Sequence, residues 1–401
     1  FQQARQAYQD GFALWQRAGD TSVDSALPAA PHALRLARLE PSTLDPTFVR
    51  SVNEGIIAGQ LFAGLAAQTP DLGIVPDVAL RWEVSGGGRR YTFFLREGVV
   101  WSDGTPLTAH DFEYAWKRAL DPATASPNAP ALYDVKGAKA YHQGLIEDRD
   151  AVGVQARGDV VLDVELERPS AYFLHLLACL ETFPVPRHVV EQRGAAWAHW
   201  PGLVTNGPFC LASWERGESI VLVRYPHYHG RFRGNLHQVR LTILPGLVTS
   251  RDVQMYEAGL LDHAMVGSPA LQEKEIVHKL AGESFMLPAA ETSYLAFPVR
   301  QAPFDDPRLR RAFAQATNRE ALPDVTPQGY ASPALGGLVP PGIPGHLPDI
   351  ALPYDPERAR QLLAEAGYPD GEGFPPVDWL TLPGYRARAD SLQAQWRATL
   401  G

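Results

Sequence analysis

A chain of 401 residues exceeds what one hydrophobic core ordinarily supports, so its length calls for two or more lobes. Its composition, 45% hydrophobic and 20% charged, is that of a soluble globular protein, and no stretch approaches the roughly 18 to 20 uninterrupted apolar residues of a membrane span. A formal net charge of −9 argues against a nucleic-acid binder, whose affinity comes from basic patches that release counterions.

Taken in chain order, residues 1–19 read as an amphipathic helix, with Ala4, Tyr8, Phe12 and Trp15 near helical spacing and Gly19 placed to end it. A Ser/Ala/Pro linker follows over 21–31. The first residue is Phe1, and the chain is expected to begin inside something larger or after a cleaved leader; the helix loosely resembles the last helix of a tetratricopeptide repeat. Residues 33–39 alternate like a buried strand closed by Pro41. Trp82 to Val84 and Tyr91 to Phe93 form a hairpin about Gly86, Gly87 and Gly88, and Tyr91, Phe93 and Leu95 share one face. Thr108 and Asp111 make a capping-box pair, followed by the apolar stripe Phe112, Ala115, Trp116 and Ala119. Val160, Leu162, Val164 and Leu166 alternate against Val161, Asp163, Glu165 and Glu167, a strand wet on one side. Residues 219–225 and 239–244 read as further strands. Asp306 with Pro307 and Asp355 with Pro356 open two more helices, with Leu309, Ala312, Phe313 and Ala316 facing inward in the first. The second packs Leu362, Leu363 and Ala366 before Gly367 ends it. This pattern is α/β or α+β with several lobes.

Catalytic signatures are missing: no Gly-x-Ser-x-Gly, no Walker loop, no HExxH, and Gly86 to Gly88 is a turn rather than a phosphate cradle. No catalysis and no cofactor are expected. Cys179 and Cys210 do not cluster with other metal ligands, and they fit a single disulfide or two buried thiols equally.

Several stretches resemble, nearly phrase for phrase, the oligopeptide/dipeptide/nickel class of extracellular solute-binding proteins (family 5). They are EPSTLDP (40–46), YTFFLREGVVWSDGTPLTAHDFEYAW (91–116), ALDPATASP (119–127), KGAKAY (136–141), VTNGPF (204–209) with Trp214 after it, APFDDPRLRR (302–311) and YDPERARQLLAEAGYP (354–369). They stand in the family's order from residue 33 onward. Most of these residues read as scaffold: Trp101-Ser102-Asp103-Gly104-Thr105-Pro106 is a turn into the capped helix, and Asn206-Gly207-Pro208 a turn before a strand.

The resemblance implies a two-lobed periplasmic-binding-protein fold of α/β class, type II and cluster C-like, with an inserted subdomain in lobe I. Lobe I would comprise 33–64 and 183–290, the inserted subdomain 65–182, and lobe II 291–401, incomplete because relatives continue further; 1–32 is the helix and linker. It also implies capture of a peptide or other small polar solute between lobes that close about a hinge, for delivery to an ABC permease. The protein would be a monomer, periplasmic or at the cell surface and lipid-anchored in some members, with no nucleic acid as partner. The alternative is a solute-sensing domain of a cytoplasmic regulator, motivated by the helix at the start of the chain. Carried over residue by residue, Arg50, Ser51 and Val52 correspond to backbone that meets the solute in lobe I. Val266 and Gly267 fall where lobe I offers further contacts, and Tyr294 aligns with a cleft aromatic of lobe II.

Two departures stand out. Asn128 replaces a frequent aromatic, so the inserted subdomain is expected to present a different surface. Tyr225-Pro226-His227-Tyr228-His229-Gly230 carries His where Trp is usual. His227 and His229, with His237, invite a metal reading, but no carboxylate or Cys completes the set in the sequence nearby, and no metal is expected.

Overall fold

The computed structural model describes residues 33–230, 234–244, 250–264, 282–283, 291–322, 331–343, 345–381 and 386–401. The helix and linker expected over 1–32, and Val266 and Gly267, lie outside the described residues. The chain divides into two compact units that part between Val266 and Gly267.

The first unit holds two four-stranded sheets and a small ribbon. Its strands in chain order are β1 (Ala33–Arg38), β2 (Ala66–Gln68), β3 (Ile74–Pro76), β4 (Ala79–Ser85), β5 (Arg90–Leu95), β6 (Val154–Ala156), β7 (Val161–Glu165), β8 (Phe209–Glu215), β9 (Ser219–Arg224) and β10 (Gln238–Ile243). One sheet runs β1-β10-β9-β8, with β1 parallel to β10 and the other pairs antiparallel. Strand β10 turns Val239, Leu241 and Ile243 inward by simple alternation. Strand β8 needs a bulge between Leu211 and Ser213, because Phe209 and Leu211 are at odd positions and Trp214 at an even one. One extra residue there flips the phase, and all three side chains are buried.

The second sheet, β4-β5-β7-β6, is antiparallel throughout and belongs to the stretch expected as an insertion. Tyr91, Phe93 and Leu95 of β5 join Leu162 and Val164 of β7 in its core. Gly86, Gly87 and Gly88 carry φ of +59°, +65° and +87°, three successive left-handed residues that only glycine adopts cheaply. Helix α1 (Val52–Leu61) follows the first strand, and α2 (Ala109–Leu120) covers the second sheet. In α2 the whole stripe Phe112, Ala115, Trp116 and Ala119 is buried, and the Trp116 indole N–H donates to the Thr182 carbonyl at 2.7 Å. The Thr108 N–H donates to Asp111 at 2.8 Å, fixing the start of α2. Val160 departs from the expected alternation: it lies ahead of β7 and is 37% exposed, whereas Leu162, Val164 and Leu166 are buried. The inward face begins only where β7 pairs with β5.

In the second unit, helices α3 (Pro307–Gln315), α4 (Pro356–Glu365) and α5 (Arg386–Leu400) pack about Phe304, Leu309, Ala312, Leu362, Leu363 and Leu400. Asp306 and Asp355 cap the first two by accepting from Arg308 N–H at 2.7 Å and Arg358 N–H at 2.9 Å. Phe313 lies edge-on to Phe304 and Trp396, with centroids 5.4 and 5.0 Å apart. Among the described residues, no helix is long and apolar enough to cross a membrane.

Candidate functional site

The loop from β1 to α1 is tied down at both ends. At its start, the Glu40 carboxylate accepts from the Trp214 indole N–H and the Gly217 N–H, each at 2.7 Å. Further on, the buried Asp45 carboxylate accepts from Thr47 N–H at 3.0 Å, Trp197 Nε1 at 3.0 Å and Arg118 Nη2 at 2.7 Å. Arg118 reaches in from α2, so the stretch expected as an insertion is bonded to this loop. Leu44 between the two anchors is fully buried.

The loop ends in a complete capping box. The Ser51 hydroxyl accepts from the Glu54 N–H at 3.2 Å, and Glu54 Oε2 accepts from the Ser51 N–H at 3.1 Å. The same carboxylate takes the Arg50 N–H at 2.9 Å, the Ser42 N–H at 3.0 Å and the Ser42 hydroxyl. Burial pushes the Glu54 carboxyl up, but the Ser42 hydroxyl and the N–H groups of Arg50, Ser42 and Ser51 together hold it below the usual carboxylate range. At the far end of α1, Asn206 accepts from the Ala63 N–H at 3.0 Å and donates to the Ala63 carbonyl at 2.9 Å. A Cβ on Gly207 would lie 2.5 Å from the Leu61 carbonyl carbon, so glycine is required for that approach.

Arg50, Ser51 and Val52 therefore stand together at the exposed start of α1. Their backbone is less open than the resemblance implies, because the N–H groups of Arg50 and Ser51 are already given to Glu54 and the Ser51 carbonyl accepts from Gly55. The first-turn N–H groups of Val52 and Asn53 have no acceptor within the helix. Val52 is 81% exposed, and Ile56, one turn on, 43%. This helix start thus offers two N–H donors, an apolar patch and the exposed Arg50 guanidinium. Tyr294, in the other unit, is 75% exposed rather than a core aromatic.

Glu54 was missed by the sequence reading. Ser51-x-x-Glu54 is a legible capping signal. Asn128 corrects an expectation: its side chain does not face outward but donates to the carbonyls of Val49 at 2.7 Å and Thr47 at 3.3 Å. An amide can hold two carbonyls where an aromatic would only pack, so Asn128 supports the loop before Arg50. A second correction concerns His229. Its side chain is only 6% exposed, and Asp77, distant in sequence, places a carboxylate oxygen 2.8 Å from its Nε2. The Tyr228 ring lies tilted against it with centroids 4.7 Å apart. Among the described residues, no group of three or more His, Cys, Asp or Glu is arranged to hold a metal. Cys179 and Cys210 are both free thiols.

The family model for bacterial extracellular solute-binding proteins, family 5, matches residues 73–401. The chain belongs to that family. Among curated relatives, it is similar to a probable deoxycholate-binding periplasmic protein, YgiS, of Escherichia coli K12, at 37% identity over 338 residues, 82% of this chain and 62% of the relative. It is also similar to the periplasmic oligopeptide-binding protein OppA of that strain, at 34% identity over 339 residues, 82% of this chain and 61% of OppA. The chain therefore spans less than two thirds of these relatives. Among solved structures, the Escherichia coli murein tripeptide binding protein MppA matches with a TM-score of 0.80 at 29% identity, covering 94% of this chain and 74% of MppA. The fold is that of the family's two-lobed periplasmic binding proteins, and this family is a solute-binding rather than a catalytic one.

Proposed function

We propose that the chain is the solute-capturing part of an ABC importer and that it takes peptides or similar small polar solutes. The observation that supports this most is the match in fold across almost the whole chain to a tripeptide-binding protein, together with membership of a solute-binding family. Arg50, Ser51 and Val52 with Val266 and Gly267 are the proposed contacts of lobe I (33–64 and 183–290, with 65–182 inserted), and Tyr294 is that of lobe II (291–401). The N–H donors at the start of α1 suit a peptide carbonyl or carboxylate, and the Val52–Ile56 patch suits an apolar side chain. Periplasmic or cell-surface placement, work as a monomer and delivery to a membrane permease belong to the same proposal. The relatives named above are periplasmic binding proteins, which favours transport over a cytoplasmic sensor.

A thermal-shift series on the whole chain tests it, since a ligand that binds the folded state raises the melting temperature by mass action. Tri- to pentapeptides are expected to raise it, and deoxycholate and sugars to do so less. A shift with deoxycholate and none with any peptide would overturn the peptide assignment.

A further inference from the structure

We infer that Arg35 and Asp262 form the fastening from which the chain crosses to the second unit, and that this fastening sets solute affinity without setting stability. The inference rests on the proposed capture of a solute between two lobes. With β10 on one side, β1 has no strand along its other edge among the described residues, and an open edge leaves N–H and C=O groups unpaired. Asp262 stands in for a strand there at one point. Its Oδ2 accepts the Arg35 N–H at 2.7 Å, and its own N–H donates to the Arg35 carbonyl at 2.9 Å. The side chains close the same contact. Arg35 Nη2 donates to Asp262 Oδ1 at 2.6 Å and Nε to Oδ2 at 3.1 Å, a two-pronged pairing that fixes orientation as well as distance. Arg35 Nη1 donates to the Gly259 carbonyl at 2.7 Å.

Five hydrogen bonds thus join one residue of β1 to the segment 259–262, and buried Leu261 within that segment packs with Ala37 and Leu244. The two units part between Val266 and Gly267, a few residues further on. The Arg35 and Asp262 side chains are 43% and 34% exposed. An ion pair so open to water adds little stability, because solvent screens it and both side chains lose freedom in forming it. What five converging bonds supply at such a place is position. They keep the chain from lifting off β1 and so hold the point from which it leaves the first unit. A connection left loose before binding has to be ordered on binding, at a cost to affinity. Arg35 and Asp262 are therefore positioning residues that touch no solute.

The test compares wild type with Arg35→Met, on the whole chain, in three measurements. The melting temperature should fall by no more than about 4 °C. Amide exchange at Asp262 should quicken roughly tenfold or more, although the carbonyl that its N–H meets is retained. Titration calorimetry, with whichever tri- to pentapeptide gives the largest thermal shift, should show affinity weakened about threefold or more. Should Arg35→Met fail to fold, Asp262→Asn, which keeps an acceptor for the Arg35 N–H, is read in the same way. Exchange at the wild-type rate, or a variant that binds as tightly as wild type, would overturn this inference alone. A wild type that binds no solute at all overturns the capture reading and the affinity claim with it.

Discussion

Replacing Arg118 by Met removes the guanidinium from the loop anchor while keeping most of the side chain's apolar length. The Arg118 and Asp45 side chains are 13% and 5% exposed, so the pair is largely withdrawn from water and solvent screening is slight. Without Arg118, the Asp45 carboxylate keeps the Trp197 indole and the Thr47 N–H but loses its only neutralising charge among the described residues. Removing one partner of a buried pair typically costs about 3–5 kcal/mol, because the other charge is left uncompensated. For a unit of this size each kcal/mol moves the midpoint by about 2–4 °C, so the first unit's melting transition should fall by roughly 6–20 °C. Tryptophan emission reports it directly, since Trp101, Trp116 and Trp197 are all buried in that unit. The cycle with Asp45→Asn separates pairing from packing: the double variant should be at least about 2 kcal/mol more stable than the sum of the single effects predicts. A loss below about 1 kcal/mol for Arg118→Met, or simple additivity, would refute the idea that this ion pair anchors the loop.

Other perturbations follow from the same geometry. Glu54→Gln should destabilise the first unit by about 1–3 kcal/mol in neutral denaturant melts, since a neutral amide accepts weakly from Arg50, Ser51 and Ser42. Because Glu54's folded pKa is depressed, its contribution is complete above the unfolded value of about 4.3 and fades as pH falls through the folded one. Wild type and Glu54→Gln should therefore converge in acid, and a gap independent of pH would contradict this. Gly207→Ala should cost about 1–3 kcal/mol in the same melts, because its Cβ would meet the backbone of Leu61. Val52→Asp should leave the stability within about 0.5 kcal/mol of wild type, or raise it, at so exposed a helix start. It should nevertheless weaken the peptide-induced thermal shift; an unchanged shift removes Val52 from the contacts. Desolvation pushes both thiols above the usual range, but Cys179 is exposed, so the half-buried Cys210 should react the more slowly with a thiol reagent near neutral pH, and both should react on unfolding without reductant.

The elements that the sequence made legible are those with local causes. Asp306-Pro307 and Asp355-Pro356 announce their helices because the cap and the fixed proline φ act within one turn. The alternation of β5 and β10 shows because one face is buried along their whole length. Trp214 illustrates what escapes: its inward face depends on a bulge three residues earlier, set by the register against β9. The candidate site was less legible still. Arg50 and Ser51 can be found by their position after LDP, but that their N–H groups are occupied depends on Glu54 folding back. The roles of Arg118, Asn128 and Asp77 rest on contacts made across wide sequence separations, where no periodicity points.

This division bears on what selects the solute. Glu40, Asp45, Trp101, Trp116 and Asn206 come from the stretches that mark the family, and each is held by hydrogen bonds to other parts of the first unit. Side chains so occupied can fix where the start of α1 stands, but they cannot distinguish one ligand from another. Overall identity is then a poor guide to the ligand, and relatives at 37% and 34% identity indeed bear the names of chemically unlike solutes, a steroid acid and oligopeptides. At the proposed contacts, the side chains that the scaffold leaves unconstrained are the exposed Arg50, Val52 and Tyr294. Substitutions there should change which solute is taken while leaving stability nearly untouched, whereas substitutions in the marking stretches should do the reverse.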